Sequence, residues 1–251
     1  MGIETDSLER LVPDDVAPGE VTGQETLELH LARYEFAAEH ARPGRLLDIA
    51  CGVGYGTRLL SDRARGLVSA LGVDLASDAV EYARGRYANA KTRYEQGDAL
   101  QFRDERGFET VVSLETIEHV PDPRALVRQL AGLVRPGGVL IASVPTTPSV
   151  DFNAHHLHDF TARSFRGLVG ENGLVERAAF EQVQRVSPLA VLTKSEARMK
   201  ETRPNILGYY ARHPGSFVRR VGATVRYGFC NRYLTLVAEK PAAPAGQAGG
   251  R

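Results

Sequence analysis

The chain has 251 residues, of which 43% are hydrophobic and 25% are charged, a composition typical of a globular protein with one core domain. Basic and acidic residues each number 31, so no overall field attracts nucleic acid or a membrane. No stretch approaches the roughly 20 apolar residues of a membrane span, and residues 1–20 lack the apolar run of a signal peptide, so we expect a cytoplasmic protein.

The predicted elements begin with a loose arm over residues 1–22 and an amphipathic helix over residues 23–41. Short apolar strands and helices then alternate along the chain. The predicted strands are Arg45–Ala50, Val68–Asp74, Thr92–Gln96, Thr110–Leu114 and Gly138–Val144, and the predicted helices are Tyr55–Ala64, Ser77–Tyr87, Pro123–Val134 and Thr161–Glu171. This alternation predicts an α/β fold with a doubly wound, mostly parallel sheet.

Two late strands, Val175–Gln182 and Tyr233–Glu239, lack a regular crossover helix and predict an antiparallel edge hairpin. Between them, at about 188–228, we expect a basic helical insertion with helices near 189–201 and 205–220. It could cap a pocket, form a homodimer contact or pack on the sheet edge, and the sequence leaves these roles open. The Pro/Ala/Gly-rich residues 241–251 predict a disordered tail.

A glycine-rich turn with Gly52, Gly54 and Gly56 follows the first strand, and such a turn lets backbone approach a ligand closely. Asp48 precedes it, where a carboxylate suits the ammonium of an amino-acid-bearing cofactor and would repel a pyrophosphate. This argues against a dehydrogenase, the alternative suggested by glycine-rich turns of this kind.

Two further carboxylates end the next strands. Asp74, 26 residues after Asp48, suits ribose hydroxyls, and Asp98 suits the exocyclic amine of adenine. Because ligands bind at the carboxyl ends of the strands in open α/β sheets, these residues predict one nucleotide site. The candidate cofactor-binding residues are Asp48, Ala50, Gly52, Gly54, Asp74, Leu75, Asp98, Ala99 and Glu115.

Residues 45–145 resemble the class I S-adenosylmethionine (SAM)-dependent methyltransferases. The matching motifs, in order, are LLDIACGVGYGT, GVDLASDAV, YEQGDAL, VVSLETIEHVPDP and LVRPGGVLIASVP. The resemblance implies SAM as methyl donor and a seven-stranded Rossmann-like sheet whose last strand is antiparallel. It also implies a methyltransferase domain over 42–240, preceded by an arm and lid helix over 1–41, in which Arg33 and Tyr34 are candidate contacts.

A candidate reaction site follows the fourth strand. Glu115, Glu118 and His119 would converge if a helical turn begins there, and a later loop brings His156 to the same rim of the sheet. Two carboxylates with imidazoles suit a divalent cation such as Mg²⁺ or Mn²⁺, with Glu115, Glu118, His119 and His156 as candidate ligands. His119 and His156 are also the candidate catalytic residues, since histidine is the usual general base.

This pattern is similar to that of ubiquinone-biosynthesis O-methyltransferases and of small-RNA 3′-terminal 2′-O-methyltransferases, which use a metal. The helix His30–Ala37 and the residues Asn153, His156 and Phe160 also resemble methyltransferases of bacterial glycan and natural-product clusters. We therefore expect O-methylation of a small acceptor, such as a sugar or glycoside. RNA 2′-O-methylation, which the neutral total charge disfavours, and a non-catalytic SAM-binding protein are the alternatives.

Overall fold

The structure, a computed structural model, describes residues 11–13, 21–185, 203 and 205–242. Their helices are α1 Val21–His40, α2 Tyr55–Arg63, α3 Ser77–Tyr87, α4 Pro123–Leu133, α5 Ala162–Gly170, α6 Ile206–Arg212 and α7 Pro214–Tyr227. Their strands are β1 Gly44–Ile49, β2 Leu67–Asp74, β3 Thr92–Gln96, β4 Phe108–Leu114, β5 Val134–Pro145, β6 Val175–Arg185 and β7 Cys230–Glu239. None of these helices combines the length and apolar character needed to cross a bilayer.

The seven strands form one sheet in the order β3-β2-β1-β4-β5-β7-β6. Strands β1 to β5 pair in parallel, and β7 runs antiparallel to both β5 and β6. The predicted doubly wound sheet and its antiparallel late hairpin are therefore confirmed. The strand order reverses between β1 and β4, which opens a crevice at their carboxyl ends.

Adjacent residues of the central strands pack on opposite faces of the sheet, because successive side chains of a strand alternate. Leu47 and Leu140 belong to a core closed by α4 and α5, whereas Leu46 and Ile141 belong to a core closed by α1 and α2. Burial on both faces explains why these strands are continuously apolar in the sequence. Polar side chains that bind a ligand are therefore expected at the ends of these strands.

Local capping explains where the two helices beside the crevice begin. Asp122 accepts a hydrogen bond from the Ala125 N–H, and Pro123 occupies the first turn of α4. Thr161 and Ser164 form a reciprocal capping box at the start of α5. These caps end the two loops that carry the candidate reaction residues, 115–122 and 146–161.

The late insertion is helical where the structure describes it, with α6 and α7 in place of the helix expected over 205–220. The helix expected near 189–201 lies outside the described residues. So do residues 1–10, 14–20 and 243–251, which carry most of the predicted arm and tail.

Candidate active site

The glycine-rich turn after β1 takes a backbone path that L side chains rarely adopt. Ala50, Gly52 and Gly54 have φ angles of 61°, 55° and 87°. A Cβ at Gly54 would lie 2.6 Å from the side chains of Ala83 and Tyr94, whereas a Cβ at Gly52 would meet no atom within 4 Å. The turn is thus packed tightly on its inner side at Gly54 and open at Gly52.

Asp74, at the end of β2, holds this turn in place. One carboxylate oxygen accepts a hydrogen bond from the Gly52 N–H at 2.8 Å, and the other accepts from the Ala76 N–H at 3.0 Å. A carboxylate has about four lone-pair sites, so both oxygens keep capacity for a ligand's hydroxyl groups. The position fits the predicted ribose contact.

Asp98 follows β3 in the neighbouring turn. Its carboxylate accepts hydrogen bonds from the Leu100 N–H at 2.9 Å and from the Gln101 amide at 3.0 Å. The side chain is therefore partly used in shaping its own turn, while Asp98 and Ala99 both line the cavity described below.

Asp48 takes a different position from the one expected. Its side chain is buried beneath the glycine-rich turn and does not line the cavity; it accepts a hydrogen bond from the Thr57 hydroxyl at 2.6 Å. Burial raises its pKa to about 7, although hydrogen bonds from Thr57 and Tyr34 oppose this. This geometry does not support the predicted direct contact with a ligand ammonium, because the carboxylate is buried and does not line the cavity.

A cavity of about 670 Å³ opens at the carboxyl ends of the parallel strands. Most of the predicted cofactor and reaction residues line it: Ala50, Gly52, Asp74, Leu75, Asp98, Ala99, Glu115, Glu118, His119 and His156. Gly54 and Asp48 lie behind this wall. The topological switch point has therefore gathered residues from five separate loops around one space.

Glu118, His119 and His156 form a cluster within this cavity. Each offers one ligand atom, and the three atoms lie within 4.8 Å of one another. The Glu118 carboxylate is fully buried, and the two imidazole rings meet edge to face with centroids 4.6 Å apart. Two imidazoles and a carboxylate from two loops thus converge on one point.

Hydrogen bonds decide which histidine nitrogens face that point. The Nδ1–H of His119 donates to the carbonyl of His155 at 3.2 Å, which leaves the lone pair on Nε2. Nδ1 of His156 lies 2.7 Å from the Ser149 hydroxyl. Outer hydrogen bonds of this kind orient imidazoles that bind metals or protons.

Glu115 does not join the cluster. Its backbone is left-handed, with φ of 50°, so the helical turn expected to align Glu115 with Glu118 does not form. Its carboxylate instead lies 3.0 Å from the Arg33 guanidinium and accepts from the Ser143 hydroxyl at 2.6 Å. Glu115 therefore lies outside the cluster, and this geometry does not support its predicted role as a metal ligand, although it still lines the cavity.

Arg33 and Tyr34, expected as lid contacts, are both buried in the wall of the fold. Arg33 stacks on the ring of Tyr233 at 4.7 Å while pairing with Glu115. Tyr34 lines the cavity and fills the space beside Gly56, where a Cβ would lie 1.9 Å from its ring. Both side chains are therefore packed within the structure around the site.

Several site residues were not identified from the sequence. Ser149, Phe152 and Arg220 line the cavity, and Arg220 comes from α7 in the late insertion. An arginine in a basic segment carries no local signal that it faces a cavity, since most such residues cover a solvated helix face. Only the tertiary fold brings it there.

The chain matches the methyltransferase domain family over residues 24–181, more than half of its length. It therefore belongs to this family. One relative, from Mycolicibacterium smegmatis, is named a probable S-adenosylmethionine-dependent methyltransferase and is 28% identical over 187 residues, covering 67% of this chain and 69% of that protein.

Curated relatives share parts of the sequence. The chain is 34% identical over 118 residues to an uncharacterized methyltransferase of Mycobacterium tuberculosis, covering 47% of this chain and 58% of that protein. It is 33% identical over 123 residues to a ubiquinone biosynthesis O-methyltransferase of Neisseria meningitidis, covering 46% and 51%. The chain thus spans little more than half the length of these relatives.

Solved structures share the fold. The YcgJ protein of Bacillus subtilis aligns with a TM-score of 0.61 at 16% identity, covering 86% of this chain and all of that one. The N-methyltransferase NodS of Bradyrhizobium japonicum, solved with S-adenosylhomocysteine, aligns with a TM-score of 0.56 at 15% identity, covering 84% and 86%. At these identities the likeness shows the fold alone.

Proposed function

We propose that the chain transfers the methyl group of SAM to a hydroxyl oxygen of a small molecule, such as a sugar, a glycoside or another natural product. The observation that carries the proposal is that one cavity joins the glycine-rich turn and Asp74 to the cluster of Glu118, His119 and His156. The donor and the proton acceptor of an O-methylation then face the same space. The similarity to a ubiquinone biosynthesis O-methyltransferase supports transfer to oxygen.

The donor half of the cavity follows from the strand ends. In this proposal Asp74 accepts hydrogen bonds from the ribose hydroxyls, Asp98 accepts from the adenine amine, and Leu75 and Ala99 contact the adenine ring. The open side of the turn at Gly52 and Ala50 takes the amino-acid part, since a Cβ at Gly52 would occupy otherwise empty space. Glu115, which is paired with Arg33, lines the same cavity.

The acceptor half must make a weakly acidic hydroxyl nucleophilic. As the new oxygen–carbon bond forms, the sulfonium–carbon bond breaks, its electron pair stays on sulfur, and S-adenosylhomocysteine leaves. A neutral imidazole of His119 or His156 takes the hydroxyl proton as general base. Holding both reactants in one cavity supplies the proximity that such a displacement needs.

A divalent cation is the second part of the proposal. Glu118, His119 and His156 fit one, because a buried carboxylate and two oriented imidazoles are a usual donor set. With two nitrogen donors, the set favours Mn²⁺ over Mg²⁺, which prefers oxygen. A bound cation would lower the pKa of the acceptor hydroxyl and fix its orientation. The histidines would then act as ligands, and the proton would leave to solvent.

The N-terminal and inserted segments complete the proposed organisation. We propose that residues 1–41 form an arm and lid helix before a catalytic domain over 42–240, and that the insertion at about 188–228 borders the acceptor. His30 on α1 and Arg220 on α7 line the cavity and support this division.

The test combines transfer and cation assays on the purified full-length chain. We would measure S-adenosylhomocysteine release with monosaccharides, glycosides, phenols and a 3′-terminal RNA oligonucleotide. Each reaction is run after EDTA dialysis and after return of Mn²⁺ or Mg²⁺. Glu118→Gln should weaken Mn²⁺ binding at least 10-fold, the scale of lost ligation. Glu171→Gln, at the exposed residue that follows α5, is the matched control.

Distinct outcomes separate the alternatives. Transfer that resists EDTA but falls in His119→Asn or His156→Asn supports histidine as base and rejects the cation. Transfer to RNA alone, weakened steeply by salt, would replace the small acceptor. Calorimetric SAM binding without transfer to any acceptor would favour a non-catalytic SAM-binding protein.

A further inference from the structure

Arg220 of α7 makes a two-pronged ion pair with Asp151 of the loop 146–161. Its Nε donates to Oδ2 of Asp151 at 2.8 Å, and one terminal nitrogen donates to Oδ1 at 2.5 Å. The Asp151 side chain is 1% exposed and the Arg220 side chain 20%. A buried pair with this planar geometry restrains both partners strongly.

The same guanidinium also holds the other end of a short turn. Its terminal nitrogen donates to the carbonyl of Pro148 at 2.5 Å, so Arg220 contacts both ends of the segment Pro148–Asp151. Within that segment, the carbonyl of Ser149 accepts from the N–H groups of Phe152 and Asn153 at 3.1 and 2.8 Å. The turn is therefore stabilised by its own backbone hydrogen bonds and by the side chain of Arg220, which clamps its two ends.

Ser149, inside the clamped turn, contacts the candidate reaction site. Its hydroxyl lies 2.7 Å from Nδ1 of His156, while its N–H donates to Asp159 at 2.8 Å. The ring of His156 thus contacts a serine that lies between Pro148 and Asp151, the two residues that Arg220 binds. A contiguous path of polar contacts leads from α7 to the cavity.

Further contacts keep this clamp charged and oriented. The Tyr210 hydroxyl on α6 donates to Asp151 at 2.7 Å, and the Arg220 guanidinium stacks on the Phe152 ring at 4.8 Å. Burial alone would raise the pKa of Asp151, but the hydrogen bonds and charge of Arg220 outweigh it and lower that pKa. The pair is therefore ionised at neutral pH.

We propose that Arg220 and Asp151 are positioning residues, which clamp the turn Pro148–Asp151 so that Ser149 orients the imidazole of His156 toward the reaction site. The inserted helices α6 and α7 then control the acceptor side of the cavity through the geometry of one histidine. The part of this inference that concerns catalysis rests on the proposed function; the loop geometry does not.

The experiment compares Arg220→Met with Arg226→Met in the full chain. Arg226 lies on the same helix, is exposed and stacks on the neighbouring Tyr227, which makes it a matched control. Hydrogen exchange of residues 146–161, the NMR chemical shifts of the His156 ring, Mn²⁺ affinity and calorimetric SAM affinity are measured for each. Circular dichroism checks that both variants fold.

For Arg220→Met we expect faster exchange confined to residues 146–161, changed NMR chemical shifts of the His156 ring, and kcat or Mn²⁺ affinity lower by about 10- to 100-fold, as for other outer-shell partners. SAM affinity should change less than about 3-fold, because Asp74 and the glycine-rich turn are untouched. Arg226→Met should change none of these. Asp151→Asn should reproduce the effects of Arg220→Met.

Chemical rescue gives a readout that a general loss of stability would not give. Arg220 lines the cavity, so in Arg220→Ala added guanidinium has access to the vacated space, whereas urea lacks the charge. Recovery of the wild-type chemical shifts of the His156 ring with millimolar guanidinium but not with urea supports the clamp. Unchanged exchange and unchanged ring shifts in both Arg220 variants would overturn it. Because both readouts need no turnover, they remain decisive if no methyl acceptor is found.

Discussion

The guanidinium of Arg33 on α1 lies 3.0 Å from the carboxylate of Glu115, just after β4, and the two side chains are 2% and 15% exposed. This buried pair ties the first helix to the loop that carries Glu118 and His119. It also occupies the carboxylate that the sequence suggested as a cation ligand. Glu115 is therefore held by Arg33 on α1 and does not belong to the cluster of Glu118, His119 and His156.

Removing one partner of this pair should destabilise the fold strongly. Arg33→Met or Glu115→Gln is expected to lower the free energy of unfolding by about 3–5 kcal/mol, because a charge or polar group stays buried without its partner. The double variant should lose less than the sum of the two. Urea denaturation measures all three. The exposed pair Arg124–Glu171 is the control and should contribute about 0–1 kcal/mol; equal effects in both pairs would contradict the assignment.

Asp74 should matter for SAM binding twice over, as a proposed ribose acceptor and as the anchor of Gly52. Asp74→Ala is expected to weaken SAM affinity by about 1–3 kcal/mol, the scale of lost hydrogen bonds to a charged group. Isothermal titration calorimetry measures it, with the exposed Asp62→Asn on α2 as control. An affinity unchanged by Asp74→Ala would remove this residue from the proposed donor site.

Asp48 should make stability depend on pH in the direction opposite to most carboxylates. Its folded pKa of about 7 exceeds the value near 3.9 of an unfolded chain, so the native state binds the extra proton between those limits. The stabilisation by the neutral form is complete at low pH and is lost as pH rises through 7.

Asp48→Asn tests this relationship. The variant keeps an acceptor for the Thr57 hydroxyl but has no proton to lose. The free energy of unfolding of the wild type, minus that of Asp48→Asn, should rise by up to about 1.4 kcal/mol for each pH unit from 7 down to 4. Urea denaturation at intervals of one pH unit provides the values. A flat or falling difference would show that Asp48 is ionised throughout.

Gly52 and Gly54, the two left-handed glycines of the turn, should respond differently to alanine. Gly54→Ala forces a Cβ to within 2.6 Å of Ala83 and Tyr94 at a φ of 87°, so we expect a loss of stability of about 2 kcal/mol or more. Gly52→Ala has open space and a φ of 55°, so its cost is the left-handed backbone alone, about 1–2 kcal/mol. Thermal unfolding compares them; a reversed order would place the crowded side of the turn at Gly52.

Much of the fold follows from local patterns. The apolar runs around Leu46–Ile49 and Val139–Val144 predict buried parallel strands, and the glycines after Ala50 predict a close-approach turn, because hydrophobic burial and backbone conformation depend on neighbouring residues. Aspartates at strand ends were located correctly for the same reason. The local sequence did not indicate which of these carboxylates would face the cavity. Asp48 is buried and does not line the cavity, whereas Asp74 lines it.

The amino-acid sequence by itself determined the strand–helix alternation, the glycine-rich turn and the rim where parallel strands end. Tertiary structure alone decided that Glu115 is withdrawn by Arg33 and that Arg220 reaches Asp151, 69 positions away. The physical reason is that such pairs depend on the register between strands and on the packing of distant helices. A residue type and its neighbours carry no information about a partner that only the completed sheet brings within hydrogen-bond distance.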